Sequence, residues 1–411
     1  MRRWELHHAD CRDAMRAMVA ESVDAVVTDP PYGLAFMGRE WDHGVPGVEL
    51  WREALRVAKP GAHLVAFGGT RTFHRLACAI EDAGWEIRDC LSWLYGSGFP
   101  KSLDVSKALD KAAGAKREVL FDGGSDGVVR APRQMQPGGG DRRETYRQQI
   151  TAPATDAARA WQGWGTALKP AWEPVILARK PLVGTVAANV LAHGTGAMNI
   201  DATRIGMSES DRDAARVPQR ATHGYAALGD GEGRNGERFE PSAGGRWPAN
   251  VALDEEAATM LDAQTGVLHG HGSTHKVGSQ GWFSGAGPTR SVNGGDSGGA
   301  SRFFYTAKAS RRERGEGNTH PTVKPTALMR WLVRLVCPPG GLVLDPFNGS
   351  GSTGVAALAE GMRYVGCERE AEYVEITRRR LASPWEDDEP DESDTSDKPE
   401  PRAAMQLELW R

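Results

Sequence analysis

"GGLVLDPFNGSGSTGVAALAEGMRYVGCE", residues 340–368, decides the fold. Leu342 to Leu344 predict a short apolar strand that ends in an acid, Asp345. Gly349-Ser350-Gly351 then predicts a tight turn, with a helix opening near Ser352. A second strand ends at Glu368, 23 residues after Asp345. Strand, glycine turn, helix, strand and terminal acid follow the order of a nucleotide-binding α/β unit. Glycines let backbone approach a ligand, the helix N-terminus offers unpaired N–H groups, and a terminal carboxylate can take both hydroxyls of a ribose. No Lys-Ser or Lys-Thr follows the glycines, so this is not a Walker cradle for ATP. The spacing also departs from G-x-G-x-x-G, and Asp345 with Phe347 would crowd a pyrophosphate, which argues against a dinucleotide.

A second stretch, "VDAVVTDPPYGL" at residues 23–34, stops abruptly. Five apolar or β-favouring residues, interrupted by Asp24, lead into Asp29, and Pro30 and Pro31 cannot continue a ladder because each lacks an N–H. Asp29 and Tyr32 are therefore expected at the carboxyl end of a strand, where open α/β sheets place ligands.

Around these two anchors the periodicity rises and falls. Residues 1–102 alternate strand and helix patterns, predicting βαβ units and a parallel sheet. Residues 103–165 lose the pattern in a Gly-, Arg- and Gln-rich run and read as a flexible insertion. Residues 166–182 restore a strand over Pro174–Arg179. Residues 183–305 again lack long periodic elements, are rich in Gly, Arg, His and aromatics, and read as a unit of their own. Residues 306–383 return to helix, strand, glycine loop, helix and strand. Residues 384–411 form an acidic tail with little to bury, expected to be unstructured.

Glycine and proline, 50 and 24 of 411 residues, exceed average usage and mark the loop-rich middle. Five cysteines, none in C-x-x-C, suggest neither a disulfide framework nor a zinc ribbon and fit a reducing cytoplasm. The opening residues lack the apolar stretch of a signal peptide, and no run is long enough to span a membrane, so a soluble protein is expected. The net charge of −4 hides a mildly basic body, because Glu386 to Glu400 holds nine acids and one lysine. Such a body is compatible with a nucleic-acid partner.

Taken together, "DPPY" (Asp29, Pro30, Pro31, Tyr32) and "DPFNGSG" (Asp345, Pro346, Phe347, Gly349, Ser350, Gly351) resemble the DNA amino-methyltransferases that use S-adenosylmethionine. "THPTVKP" at residues 319–325, with Thr322, Lys324 and Pro325, looks like the segment that closes over the methionine end of the cofactor. "HHADC" resembles the motif near the cofactor adenine and suggests Asp10. The tetrapeptide comes first and the glycine loop last, which is the permuted order of the beta class. The resemblance implies a doubly wound, mostly parallel, Rossmann-like α/β sheet assembled from both ends of the chain, with residues 183–305 as a target-recognition region. It implies binding of the cofactor by Asp10, Asp29, Thr322, Lys324, Pro325, the glycine-loop residues and Glu368.

The implied chemistry is methyl transfer to the amine of a base flipped from double-stranded DNA, with no metal. Asp29 and the Pro30 carbonyl accept the amine hydrogens, and Tyr32 stacks on the base. Ring-carbon methylation needs an activated cysteine, and Cys337, in "VCPPGG", reads instead as a helix-end residue. Family members whose tetrapeptide begins with Asp are mostly adenine enzymes, so adenine is favoured over cytosine. An RNA or protein amine substrate and a silent DNA-binding module are the rival readings, and a homodimer and a separately encoded restriction endonuclease are conceivable partners. His269, His271 and His275 read as a polar loop rather than a metal site. Arg130, Arg133, Arg142, Arg143 and Arg147 suit either phosphate contact or solvation, and Arg246, Trp247, Trp282, Phe283 and Arg302 either DNA contact or packing.

Overall fold

The computed structural model describes residues 3–34, 44–98, 102–122, 149–209, 211–212, 244–269, 274–276, 289–291, 297–307 and 317–382. Its main sheet has nine strands: β1 (Trp4–His8), β2 (Val23–Thr28), β3 (Ala58–Phe67), β4 (Glu86–Leu94), β5 (Trp172–Arg179), β6 (Val251–Asp254), β7 (Tyr305–Ala307), β8 (Leu342–Asp345) and β9 (Arg363–Glu368). Their spatial order is β1-β9-β8-β2-β3-β5-β4-β6-β7. Every pairing is parallel except the two made by β5, which runs against β3 and β4. The expected mostly parallel, doubly wound sheet is what the chain forms.

Parallel strands buried on both faces need near-continuous apolar runs, and β2 and β3 have them. Alternate residues then serve opposite faces. Ala25, Val27, Val65, Phe67, Val175 and Leu177 pack into one core, and Val26, Leu64, Ala66, Ile176 and Ala178 into the other. The helices are α1 (Cys11–Ala17), α2 (Val48–Val57), α3 (Phe73–Asp82), α4 (Val105–Ala112), α5 (Asp156–Ala160), α6 (Val186–His193), α7 (Glu255–Thr265), α8 (Thr326–Val336), α9 (Ser352–Ala359) and α10 (Ala371–Ala382). The first core is covered by α8 and α9, and the second by α1, α2 and α3.

The two ends of the chain interleave. β1 pairs with β9, and β8 with β2 at Val343–Ala25 and Leu344–Val26. From β8 the chain crosses through α9 to β9 on one side, whereas from β2 it crosses through α2 to β3 on the other. Such a reversal opens a crevice at the carboxyl ends of the two central strands. A buried hydrogen bond marks that point: Thr28 Oγ1 donates to Asp345 Oδ1 at 2.6 Å.

Two expectations need correction. Residues 103–165 are not patternless: α4, α5 and an antiparallel pair, Val119–Asp122 with Gln149–Thr151, lie there. Asp110 organises them, accepting from Arg117 at 2.7 Å, from the Ala154 and Thr155 N–H groups at 3.0 Å each and from the Thr155 hydroxyl at 2.8 Å. These partners are far apart in sequence, so no local period announces them. Nor do residues 183–305 stand wholly apart, because β6 joins the main sheet beside β4 and β7 extends it. Short strands that complete an existing edge carry too few residues for a periodic signal. The arginines at 130, 133, 142, 143 and 147 and the acidic tail lie outside the described residues.

Leu332 of α8 is buried in the first core at 1% exposure. Leu332→Ala is expected to cost about 2–5 kcal/mol, read as a lower urea midpoint with an unchanged slope. Asp345, buried at 2% exposure, has its carboxyl pushed up to about 6: burial outweighs the hydrogen bonds from Thr28, Thr353 and the Phe347 N–H. Between pH about 4 and 6 the folded protein holds a proton that the unfolded chain has lost, so this group makes stability fall as pH rises through that window. In Asp345→Asn this contribution is absent. Melting curves from pH 4 to 7 should show the variant gaining on wild type by on the order of 3 kcal/mol.

Candidate active site

β2 ends at Thr28, and Asp29, Pro30, Pro31 and Tyr32 turn over the carboxyl edge of the sheet. The turn is held from both sides. Tyr32 donates its hydroxyl to Asp29 Oδ1 at 2.9 Å, and its carbonyl accepts from Thr72 Oγ1 at 2.6 Å. Pro30 is buried beneath the turn. Burial, with the negative charges of Asp29 and Glu173, pushes the Tyr32 phenol well above its usual pKa, so it stays protonated and able to donate.

The glycine loop lies across the crevice. Gly349 and Gly351 have φ of +53° and +83°, conformations that side chains rarely adopt. A Cβ on Gly349 would stand 2.8 Å from His320 Nε2, and one on Gly351 2.8 Å from Thr377 Cγ2. Asn348 locks the turn from within the core, accepting from the Tyr364 hydroxyl at 2.7 Å and donating to Thr377 Oγ1 and the Gly349 carbonyl, each at 2.8 Å. Arg380 holds the Ser350 carbonyl at 2.6 Å. Glu368, at the end of β9, accepts from the Gly349 N–H at 2.7 Å and the Glu370 N–H at 2.8 Å. Burial raises its carboxyl, and those N–H groups pull it back only in part. A carboxylate has about four lone-pair sites, so acceptor capacity is left on both oxygens.

Between the two loops lies a cavity of about 360 Å³ whose lining includes Asp10, Pro31, Gly47, Leu50 and Phe347. Asp10 caps α1 through the Arg12 N–H at 2.9 Å and pairs with the Arg12 guanidinium at 3.0 Å. That hydrogen bond holds its carboxyl below the ordinary range.

Residues 317–325 bring a third component. His320 packs edge-on against Tyr373 and faces the Thr322 carbonyl at 2.5 Å. Its pKa is lowered by burial, so the ring is neutral. The Thr322 residue itself is exposed, and Pro325 precedes α8. Lys324 reaches the tetrapeptide, with Nζ 2.7 Å from Asp29 Oδ2 and 3.1 Å from the Tyr32 hydroxyl. Nζ also lies 3.3 Å from Glu173 Oε2 and 4.8 Å from the Phe67 ring centroid. Burial alone would favour a neutral amine, but Asp29 and Glu173 outweigh it and keep Lys324 charged.

Asp29, Tyr32, Lys324, Asp345, Phe347, Gly349 and Glu368 thus gather at one crevice, with Asp10 at its far end. Sequence reasoning overlooked Glu173, Asn348 and His320. An acid opening the otherwise apolar run "WEPVILA" was the one legible signal. Elsewhere, Arg246 pairs with Asp211 at 3.1 Å and stacks on Phe303, while Trp247 is exposed beneath Arg204. Trp282, Phe283 and His271 lie outside the described residues, among which no group of acids, histidines or cysteines is placed to hold a metal.

Several known proteins resemble this chain. "DNA adenine methyltransferase YhdJ" of Escherichia coli K12 is 44% identical over 66 residues, 16% of this chain and 22% of that protein. "Type II methyltransferase M2.DpnII" of Streptococcus pneumoniae is 38% identical over 77 residues, 19% of this chain and 29% of that protein. The matched stretches therefore span under a third of those relatives. Among solved structures, the M1.HpyAVI-SAM complex aligns over 92% of this chain and 98% of its own at 15% identity and a TM-score of 0.39. The cytosine-N4-specific PvuII DNA methyltransferase aligns over 92% and 86% at 13% identity and a TM-score of 0.41. The N6_N4_Mtase family model, described as DNA methylase, matches residues 148–379, more than half of the chain. This chain belongs to that DNA methylase family.

Proposed function

We propose that the protein transfers a methyl group from S-adenosylmethionine to the exocyclic amine of an adenine flipped out of double-stranded DNA. One observation carries this reading: the tetrapeptide and the glycine loop, more than 300 residues apart, share one crevice at the switch point of the sheet, coupled through Thr28 and Asp345.

The residues present fit the cofactor. Glu368 keeps acceptor capacity for ribose hydroxyls, Gly349 and Gly351 keep the loop free of side chains, and the cavity beside Phe347 and Asp10 has the size and mixed lining that an adenine ring needs. When bound, the cofactor supplies an electrophilic methyl group on a sulfonium.

Everything else is the work of this chain. The lone pair of an aromatic amine is delocalised into its ring, so the site must localise it before transfer. Asp29 and the Pro30 carbonyl accept the two amine hydrogens, draw the nitrogen toward tetrahedral geometry and aim its lone pair. The Asp29 carboxylate also favours the positive charge that develops on nitrogen, an interaction strongest in the transition state. Tyr32, anchored by its hydroxyl to Asp29, offers its ring face to the extruded base. Adenine is preferred over cytosine because the tetrapeptide begins with Asp and because a relative carries an adenine methyltransferase name. A Type II name among the relatives supports pairing with a restriction endonuclease. Double-stranded DNA is the partner.

Incubation with methyl-labelled cofactor and duplex DNA, digestion to nucleosides and identification of the labelled one tests the reading. Label is expected in deoxyadenosine; label in deoxycytidine replaces the base, and label only in RNA or protein rejects the DNA substrate. Asp29→Asn is expected to lose at least about 100-fold in turnover while still binding DNA. Turnover near wild type would remove Asp29 from its role. Glu368→Ala should weaken cofactor binding by roughly tenfold or more, measured by calorimetry.

A further inference from the structure

Lys324 occupies the place where the edge of a stacked base would meet Asp29. Its ammonium is 3.1 Å from the Tyr32 hydroxyl but 5.5 Å from the centroid of that ring. The charge therefore sits off the hydroxyl end of Tyr32 and not over the centre of its ring. A base stacked there with its amine on Asp29 presents the rest of its Watson–Crick edge to Lys324.

We propose that Lys324 donates a hydrogen bond to the ring nitrogen beside the target amine, so that Asp29 and Lys324 read amine and neighbour as one edge. The proposal rests on Asp29 accepting the amine, as above. Asp29 Oδ2 and Lys324 Nζ are 2.7 Å apart, comparable to the spacing of adjacent hydrogen-bonding groups on a base edge. In adenine the amine adjoins an unprotonated ring nitrogen, and in cytosine likewise. In guanine the ring nitrogen beside the amine on the Watson–Crick edge carries a hydrogen, which would face the ammonium donor to donor, and thymine has no amine. A cationic donor beside Asp29 therefore favours the two bases whose amine and bare ring nitrogen share the Watson–Crick edge over the other two.

The ammonium has a donor to give. Its contacts with Tyr32 at 3.1 Å and Glu173 at 3.3 Å are longer than the 2.7–2.9 Å usual for charge-assisted bonds, so an incoming ring nitrogen replaces the weaker of them. Glu173, from β5, is a positioning residue: with the Phe67 face it holds the ammonium beside Asp29.

The test uses synthetic duplexes carrying the methylation site found by the labelling experiment, with the target adenine either natural or replaced by 1-deazaadenine. That analogue keeps the amine and exchanges the ring nitrogen for C–H; 3-deazacytosine serves if the label falls in cytosine. Single-turnover methyl transfer by wild type should fall roughly 10- to 100-fold on the analogue, the worth of one hydrogen bond from a charged group. In Lys324→Met the difference between the two duplexes should shrink below about threefold, since no donor is left to lose its acceptor. Equal rates of wild type on both duplexes would overturn the proposal, as would a Lys324→Met enzyme that keeps the full difference, because the effect would then lie in the analogue's amine. If Lys324→Met fails to fold, the wild-type ratio alone decides. Wild type that methylates neither duplex overturns the functional reading, and this one with it.

Discussion

Thr28 and Asp345 share a hydrogen bond of 2.6 Å in the dry centre of the sheet, and the rest of the crevice hangs from it. Each residue closes its strand, and each is followed at once by a loop that carries chemistry. The parallel pairing of β2 with β8 sets the two loops side by side, and because side chains alternate along a strand, a slip of one residue would turn both to the wrong face. The Asp345 carboxyl accepts from Thr28 and from the Phe347 N–H at 3.0 Å, so the same group that joins the strands also shapes the start of the glycine loop.

That arrangement makes the crevice acidic. Asp29, Glu173, Asp345 and Glu368 approach it from four different strands or strand ends, while Lys324 brings its ammonium between Asp29 and Glu173. Under the proposed function this balance has a purpose: carboxylates suit a sulfonium donor and an amine that becomes positive, whereas the Lys324 ammonium, 2.7 Å from Asp29 Oδ2, holds that carboxylate in place. Rigidity comes from the neighbours. Asn348, Tyr364 and Thr377 bond one another under the glycine turn, and Thr72 holds the tetrapeptide from behind.

Much of this was legible in advance, for a physical reason. Buried parallel strands must be apolar throughout, prolines must end a ladder, and a backbone at positive φ wants glycine. Those three constraints are local, so residues 23–34 and 340–368 announce their strands, turns and acids. Glu173 was hidden because an acid at a strand mouth looks like any solvated charge until Lys324 is seen beside it. Asp110 was hidden likewise: its partners Arg117, Ala154 and Thr155 come from separate segments. The short strands β6 and β7 escaped because four and three residues hold almost no period.

Sequence alone thus determined the elements that flank the two loops, the loops themselves and the chemical character of their residues, because each depends on interactions among near neighbours. Only the tertiary structure decided which loop faces which, that Lys324 from the far end of the chain falls on Asp29, and that β5 delivers Glu173 to the same point. Strand order and crossover direction choose those partners. They are properties of the whole sheet, and no window of sequence contains them.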